Sequence, residues 1–297
     1  MSFSKIFNSG ILIAVVGIVM FSAKAIMVKL AYKYEVSAVH LLLFRMLFAV
    51  PFYLIIAFYV KPQNPHKIKK ADFLYILLFG FIGYYLASYF DFIGLKFIKA
   101  GLERIILFIY PTLVLLISKI FFKTTISKKQ VVAILITYLG VVITFWGEVQ
   151  FENSNVVLGG FFIFLSALSY ASYLVGSGWL IPKFGAVAFT AYAMIVSTVC
   201  VFIHYLIVDR TSVFVYPYQV YVLGFLMAIV STLIPSFLVS FAIKKLGANN
   251  FSIIGSIGPI STIILAYLVL DEKLTVLQFV GTLIVIVGVG VISYKKK

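Results

Sequence analysis

Ten apolar stretches, each about twenty residues long and joined by short polar loops, constrain this chain more than any other feature of it. A hydrocarbon core about 30 Å thick takes roughly 20 residues of helix to cross. Backbone in lipid must also satisfy its own hydrogen bonds, which a helix does within one segment. The sequence therefore predicts an all-α integral membrane protein with spans at 9–30, 38–60, 72–95, 99–121, 128–147, 156–180, 185–208, 218–243, 248–270 and 274–294. A soluble domain is excluded by the scarcity of charge, since only 11% of the 297 residues are Asp, Glu, Lys or Arg. The first stretch is long and carries no small-residue cleavage pattern, so it is expected to remain as the first helix. The loops leave no room for a soluble domain, and the single Cys200 lies inside a span, where it can form no internal disulfide.

The net charge of +15 is spread over loops and the "YKKK" terminus rather than gathered on one face, which excludes a nucleic-acid surface. Its distribution reads as topology. With the N-terminus inside, fifteen lysines fall on the inner side: Lys5; Lys61, Lys67, Lys69 and Lys70; Lys119, Lys123, Lys128 and Lys129; Lys183; Lys244 and Lys245; and Lys295, Lys296 and Lys297. The outer side keeps Lys33, Lys96, Lys99, Arg210 and Lys273. The positive-inside rule then places both termini in the cytoplasm, with a bacterial inner (plasma) membrane as the expected location.

Sliding the chain against itself by 148 residues aligns Ser88 with Ser236, Lys96 with Lys244, Pro111 with Pro259, Gln130 with Gln278 and Gly140 with Gly288, without a gap. Two repeats, 1–148 and 149–297, of five spans each follow from this register. An odd number of spans per repeat forces the copies into opposite orientations across the membrane. That inverted plan belongs to secondary transporters, which bind substrate between repeats near the midplane.

Residues 258–292, "GPISTIILAYLVLDEKLTVLQFVGTLIVIVGVGVI", combine a helical proline, an acidic turn and a glycine-spaced last helix. Residues 100–117, "AGLERIILFIYPTLVLLI", match them in the first half, and "LFRMLFAVPFYL" supplies an arginine in the second span. Together these resemble EamA-type members of the drug/metabolite transporter superfamily. The resemblance implies ten helices in two five-helix repeats and transport of a small metabolite. Two departures from the pattern stand out: Thr124 occupies the place that Glu272 has in the second repeat, and Lys24 lies in a first-helix region where many members of the family have a neutral polar residue.

Lys24, Arg45, Asp91, Glu103 and Arg104 are charged residues within spans. Each such group costs about 2.5–3.5 kcal/mol at a span centre, so it faces a cavity or a partner. They are the candidates for substrate binding or coupling, with static ion pairing as the alternative. Tyr84, Ser88 and Asp91 recur at i, i+4 and i+7, a polar stripe that must avoid lipid. Tyr170 and Tyr173 lie one turn apart in the sixth span, and Tyr173 is the cavity candidate of the two. Pro111 and Pro259 each remove a backbone hydrogen bond and are expected to kink their helices. The glycine pairs Gly140/Gly147 and Gly281/Gly288 mark faces for close helix packing. Lone His204, near a helix end, is read as a satisfied or interfacial residue, with a proton relay as the alternative.

No H-E-x-x-H, G-x-S-x-G or metal-spaced Cys/His cluster occurs, so neither an enzyme nor a cofactor or metal is expected. The expected function is a secondary transporter for a zwitterionic or anionic metabolite, working by alternating access. Its partners are the substrate and the lipid bilayer, and the plan is compatible with a homodimer. Export of cationic or aromatic drugs is the alternative, with a channel behind it.

Overall fold

The computed structural model describes residues 9–98, 100–145, 154–209, 211–270 and 275–293, and every regular element among them is helical. In chain order these are α1 (Ser9–Tyr32), α2 (Ala38–Tyr59), α3 (Lys70–Phe97), α4 (Ala100–Leu107), α5 (Tyr110–Phe122), α6 (Lys128–Phe145), α7 (Ser154–Phe184), α8 (Ala186–Val208), α9 (Tyr218–Leu246), α10 (Ala248–Ile254), α11 (Ile257–Leu270) and α12 (Val276–Ser293). Seven helical stretches are long and apolar enough to cross a membrane, and shorter apolar helices lie at Tyr110–Phe122 and Phe279–Val291. Gly147, the acidic turn at Asp271 and Glu272, and Lys5, Lys99, Arg210, Lys273 and Lys295 to Lys297 lie outside the described residues.

Local chemistry sets the helix ends. Ser37 caps α2 by accepting a hydrogen bond from His40 N at 3.1 Å, which satisfies one of the free donors of the first turn. At the start of α3, Asp72 accepts from Lys69 N at 2.8 Å. The chain reverses between α7 and α8, and again between α9 and α10, on a single glycine each time. Gly185 and Gly247 have φ of 82° and 77°, a region that side-chain-bearing residues rarely adopt.

The spans expected at 99–121 and 248–270 are broken helices. Pro111 and Pro259 do not bend continuous helices; they stand in the first turns of α5 and α11, after two-residue interruptions at Phe108–Ile109 and Gly255–Ser256. A proline has no N–H to give the carbonyl four residues back. Gly255 O, four residues before Pro259, accordingly receives Gly258 N at 2.8 Å, and α5 begins with Ile109 O receiving both Thr112 N and Leu113 N. Two further irregularities are π-helical: Gly80–Leu86 within α3 and Ile229–Leu233 within α9. Positions 81–85 and 229–233 are 148 residues apart, as are Pro111 and Pro259.

The core runs along α1, which packs against α9 and α11, and along α7, which packs against the second half of α3. α2 lies along α8 on one flank, and α6 along α12 on another. Gly140 lets α6 approach α12 so closely that an added Cβ would lie 2.8 Å from Gly281 O and Val285 N; at Gly288 it would lie 3.0 Å from Thr137 N and 3.2 Å from Ala133 O. The exposed side chains are largely apolar, Phe58, Ile120, Leu135, Val157, Ile207 and Leu268 among them. Lys24, Arg45, Asp91, Glu103 and Arg104 are buried. Such an inverted distribution suits lipid as solvent.

Candidate functional site

The π segment of α3 and the two helix breaks meet around one cavity. α1 contributes Phe21, Ser22 and Lys24; the π segment of α3 and the turn after it contribute Tyr84 and Ser88; the broken helices contribute Arg104, Phe108, Tyr110, Gly255 and Pro259; α7 contributes Tyr170. The cavity measures about 60 Å³, enough to admit water. Each contributing residue lies well inside its helix or at a helix break, far from the loops.

Lys24 and Asp91 form a buried ion pair, with Nζ 2.7 Å from Oδ2. Glu103 and Arg104, adjacent in α4, form a second, with Oε2 3.0 Å from Nε. The two pairs interact, since Asp91 and Glu103 feel each other and both cations. Lys24 and Arg104 line the cavity, whereas Asp91 and Glu103 stand behind them. The cavity wall thus presents cations, with carboxylates as their support. Arg45 also sits behind the wall. It donates from Nη2 to Ser88 Oγ at 2.8 Å and stacks its guanidinium 5.2 Å from the Phe92 ring centre, while its Nε finds no acceptor. Three cations therefore face two carboxylates around this site, all of them buried.

The stripe of Tyr84, Ser88 and Asp91 faces inward along its whole length. Tyr84 and Ser88 reach the cavity. Tyr173, also singled out in the sequence, is fully buried but stands outside the cavity wall. Its hydroxyl donates to Tyr84 Oη at 3.1 Å and its side chain packs on Gly83, where an added Cβ would collide with Tyr173. Tyr170, its neighbour one turn away, takes the lining position. His204 bonds Tyr85 Oη at 3.0 Å, away from the cavity.

Ser22, Phe108, Tyr110 and Gly255 carry no charge or motif and were not legible as site residues. Ser22 ties the two broken helices together: Oγ donates to Ile18 O at 2.8 Å and to Gly258 O at 3.2 Å, and its carbonyl receives Arg104 Nη2 at 3.4 Å. The Tyr110 hydroxyl occupies the space where a Cβ on Gly255 would stand. The signal that could have found Tyr110 is its place immediately before a proline within a span.

On the lysine-rich side of the cavity, polar side chains bridge the two halves of the chain. Ser118 Oγ donates to Asn249 Oδ1 at 2.8 Å, Gln130 Nε2 to Asn250 Oδ1 at 3.2 Å, and Lys244 Nζ to Gln63 Oε1 at 2.9 Å. Among the described residues no group of three or more His, Cys, Asp or Glu side chains is placed to hold a metal.

A sequence model of the EamA-like transporter family matches residues 8–146 and again 157–294. The chain belongs to that family. It is an integral membrane protein, and the EamA-like family is one of transporters. Among its relatives, the uncharacterized transporter YcbK of Bacillus subtilis (strain 168) is 32% identical over 278 residues, 92% of this chain and 89% of YcbK. The uncharacterized transporter YyaM of the same organism is 26% identical over 250 residues, 82% of this chain and 81% of YyaM. A solved structure described only as the crystal structure of a protein superposes with a TM-score of 0.78, covering 96% of this chain and 98% of the other at 14% identity. That last likeness concerns the fold alone. Within this EamA-like chain, the five buried charges of the spans all lie in the first matched segment, each matched segment contains one helix break, and residues of both line the cavity.

Proposed function

We propose that this chain is a secondary transporter that moves a small anionic or zwitterionic metabolite by alternating access through the central cavity. The observation that carries the reading is the cavity wall itself: Lys24 and Arg104 face the space, and Asp91 and Glu103 lie behind them. A carboxylate entering there meets two donors whose charge is only partly spent. If the substrate also bears an amine, a local shift of Lys24 frees Asp91 to receive it. Two carboxyl groups that interact this closely also provide a place to hold one proton, which offers a route to proton coupling.

The proposed architecture is ten membrane helices in two inverted five-helix repeats, 1–148 and 149–297, with both termini in the cytoplasm of a bacterial inner membrane. Support comes from the 148-residue spacing of the helix breaks and π segments, and from α6 and α12, which meet through residues at that same spacing. Discontinuous helices at the binding site are the usual means by which such repeats hold substrate. The bridges from Ser118 and Gln130 to Asn249 and Asn250 are contacts that rocking of the halves breaks and remakes.

A second reading rests on the aromatic wall of Phe21, Tyr84, Tyr110 and Tyr170, whose ring faces also attract cations. Proteoliposome counterflow with panels of carboxylates, amino acids and cationic dyes separates the two. The expected result is saturable counterflow for carboxylates or amino acids, lost in Lys24→Met/Asp91→Asn although that neutral pair still gives a monodisperse protein. Unchanged counterflow in the double variant, or counterflow of cations alone, overturns the reading.

A further inference from the structure

A second recess lies beside the central cavity, on the outer surface of the helices. It is lined by Ile106, Ile109, Tyr138, Val142 and Phe164, measures about 250 Å³, and shares one residue with the central cavity, Phe108. The recess opens among apolar side chains that are exposed on the surface: Ile109 at 37%, Val142 at 48% and Phe164 at 37%, with Leu139 and Phe161 beyond them. In a membrane-spanning chain these groups are solvated by acyl chains, so the recess is filled from the hydrocarbon side. Phe108 itself is 3% exposed and stands between the two spaces.

The backbone that carries Phe108 is suited to movement. Phe108 and Ile109 form the interruption between α4 and α5, where Pro111 withholds a backbone donor. Tyr138 holds the turn from outside. Its hydroxyl contacts Thr112 Oγ1, lies 3.4 Å from Ile109 O, and its ring meets the Phe108 ring edge-on at 5.3 Å. On the inner side, Phe108 N bonds to Arg104 O at 3.1 Å, one helical turn from a cation of the cavity wall. A path from lipid past Phe108 thus leads straight to Arg104 and Lys24.

We propose that Phe108 closes a lateral entrance from the bilayer into the central cavity, and that this entrance serves amphiphilic anions, with the apolar tail in the recess and the acidic head at Lys24 and Arg104. The head-group half rests on the carboxylate reading of the cavity given above; the entrance itself rests on Phe108 and the recess. The occupant is a membrane-partitioned anion because the outer part of the path is lined by apolar side chains, with the Tyr138 hydroxyl turned to the backbone and Thr112, and the inner end is cationic.

The test uses the full chain in proteoliposomes with Trp146→Phe, Trp179→Phe and Phe251→Trp, which leaves one tryptophan, on the central cavity wall. Bilayers are made from plain or acyl-brominated phosphatidylcholine, the bromines quenching only on contact. With Phe108 in place the bulk lipid leaves the reporter bright. Phe108→Ala loses most of that emission in brominated lipid, and Tyr138→Phe, which frees the turn without emptying it, loses part of it. Leu135→Ala, on the lipid face elsewhere on α6, behaves like the parent. If Phe108→Ala fails to fold, Phe108→Leu and Tyr138→Phe carry the same comparison. Equal emission in all folded variants overturns the entrance. Terminally brominated undecanoate is then added to the parent protein, and it quenches saturably, whereas terminally brominated undecanol does not. Quenching by the alcohol that equals quenching by the acid overturns the anion assignment while leaving the entrance result intact, so failure of the carboxylate reading is told apart from failure of the entrance.

Discussion

Lys24 Nζ lies 2.7 Å from Asp91 Oδ2, and neither side chain has meaningful contact with solvent. The ammonium that interrupts the first apolar helix is therefore matched by a carboxylate from α3, within reach of the Glu103–Arg104 pair. Removing one member of such a pair leaves a buried charge unmatched, at a cost of about 3–5 kcal/mol. Lys24→Met is expected to lower thermal stability in detergent markedly, and Lys24→Met/Asp91→Asn to recover most of it. A double variant no more stable than the single one would show that the pair is not the source of the loss.

Asp91→Asn, with Lys24 kept, is expected to change the pH dependence of transport, because one of the two interacting carboxyl groups is gone. Initial counterflow rates measured across a pH series decide this. A profile that overlays the parent's assigns Asp91 to structure alone.

Gly140 and Gly288 make the α6–α12 seam, and an added methyl at either meets backbone atoms of the facing helix. Backbone cannot turn aside as a side-chain end can, so Gly140→Ala and Gly288→Ala are each expected to cost about 1–3 kcal/mol. Gly290→Ala, where nothing lies within 4 Å, is the matched control and is expected to leave the melting temperature unchanged.

Tyr110 and Gly255 fill one another's space across the two helix breaks. Gly255→Ala is expected to destabilise the protein and abolish transport, and Gly255→Ala/Tyr110→Phe to regain part of the stability through the room left by the missing hydroxyl, the ring carbon Cζ still 2.7 Å from the added Cβ. The pair is in contact, so its effects will not add. Strict additivity in a double-mutant cycle of melting data refutes the contact.

Asp209 lies beyond α8, outside the spans. Burial pushes its carboxyl up, but hydrogen bonds from Thr211 and Ser37, together with the neighbouring His40 ring, outweigh this and hold it below the ordinary carboxylate range. A carboxyl depressed on folding contributes stability that is present above its unfolded value, about 3.9, and is lost as pH falls through its folded value. Stability of the parent is thus expected to fall as pH drops below about 4, and the slope to be shallower in Asp209→Asn. Thermal unfolding of both proteins across that acid range measures the difference.

What the amino-acid sequence determined by itself was the solvent of each segment and the charges that must escape it. Transfer into lipid is a cost each residue carries largely alone, so runs such as 38–60 and 185–208 anticipate α2 and α8 closely, and Lys24, Arg45, Asp91, Glu103 and Arg104 were marked for burial before any contact was known. The polar stripe of Tyr84, Ser88 and Asp91 was legible for the same reason, through helical periodicity. Tertiary structure decided the rest: that Asp91 answers Lys24, that Tyr170 rather than Tyr173 lines the cavity, that Pro111 and Pro259 break their helices instead of bending them, and that Tyr110 fits over Gly255. These outcomes depend on which residues of distant helices come within a few ångströms of each other. Such proximity is a property of packing between segments, and periodicity along one segment carries no record of it.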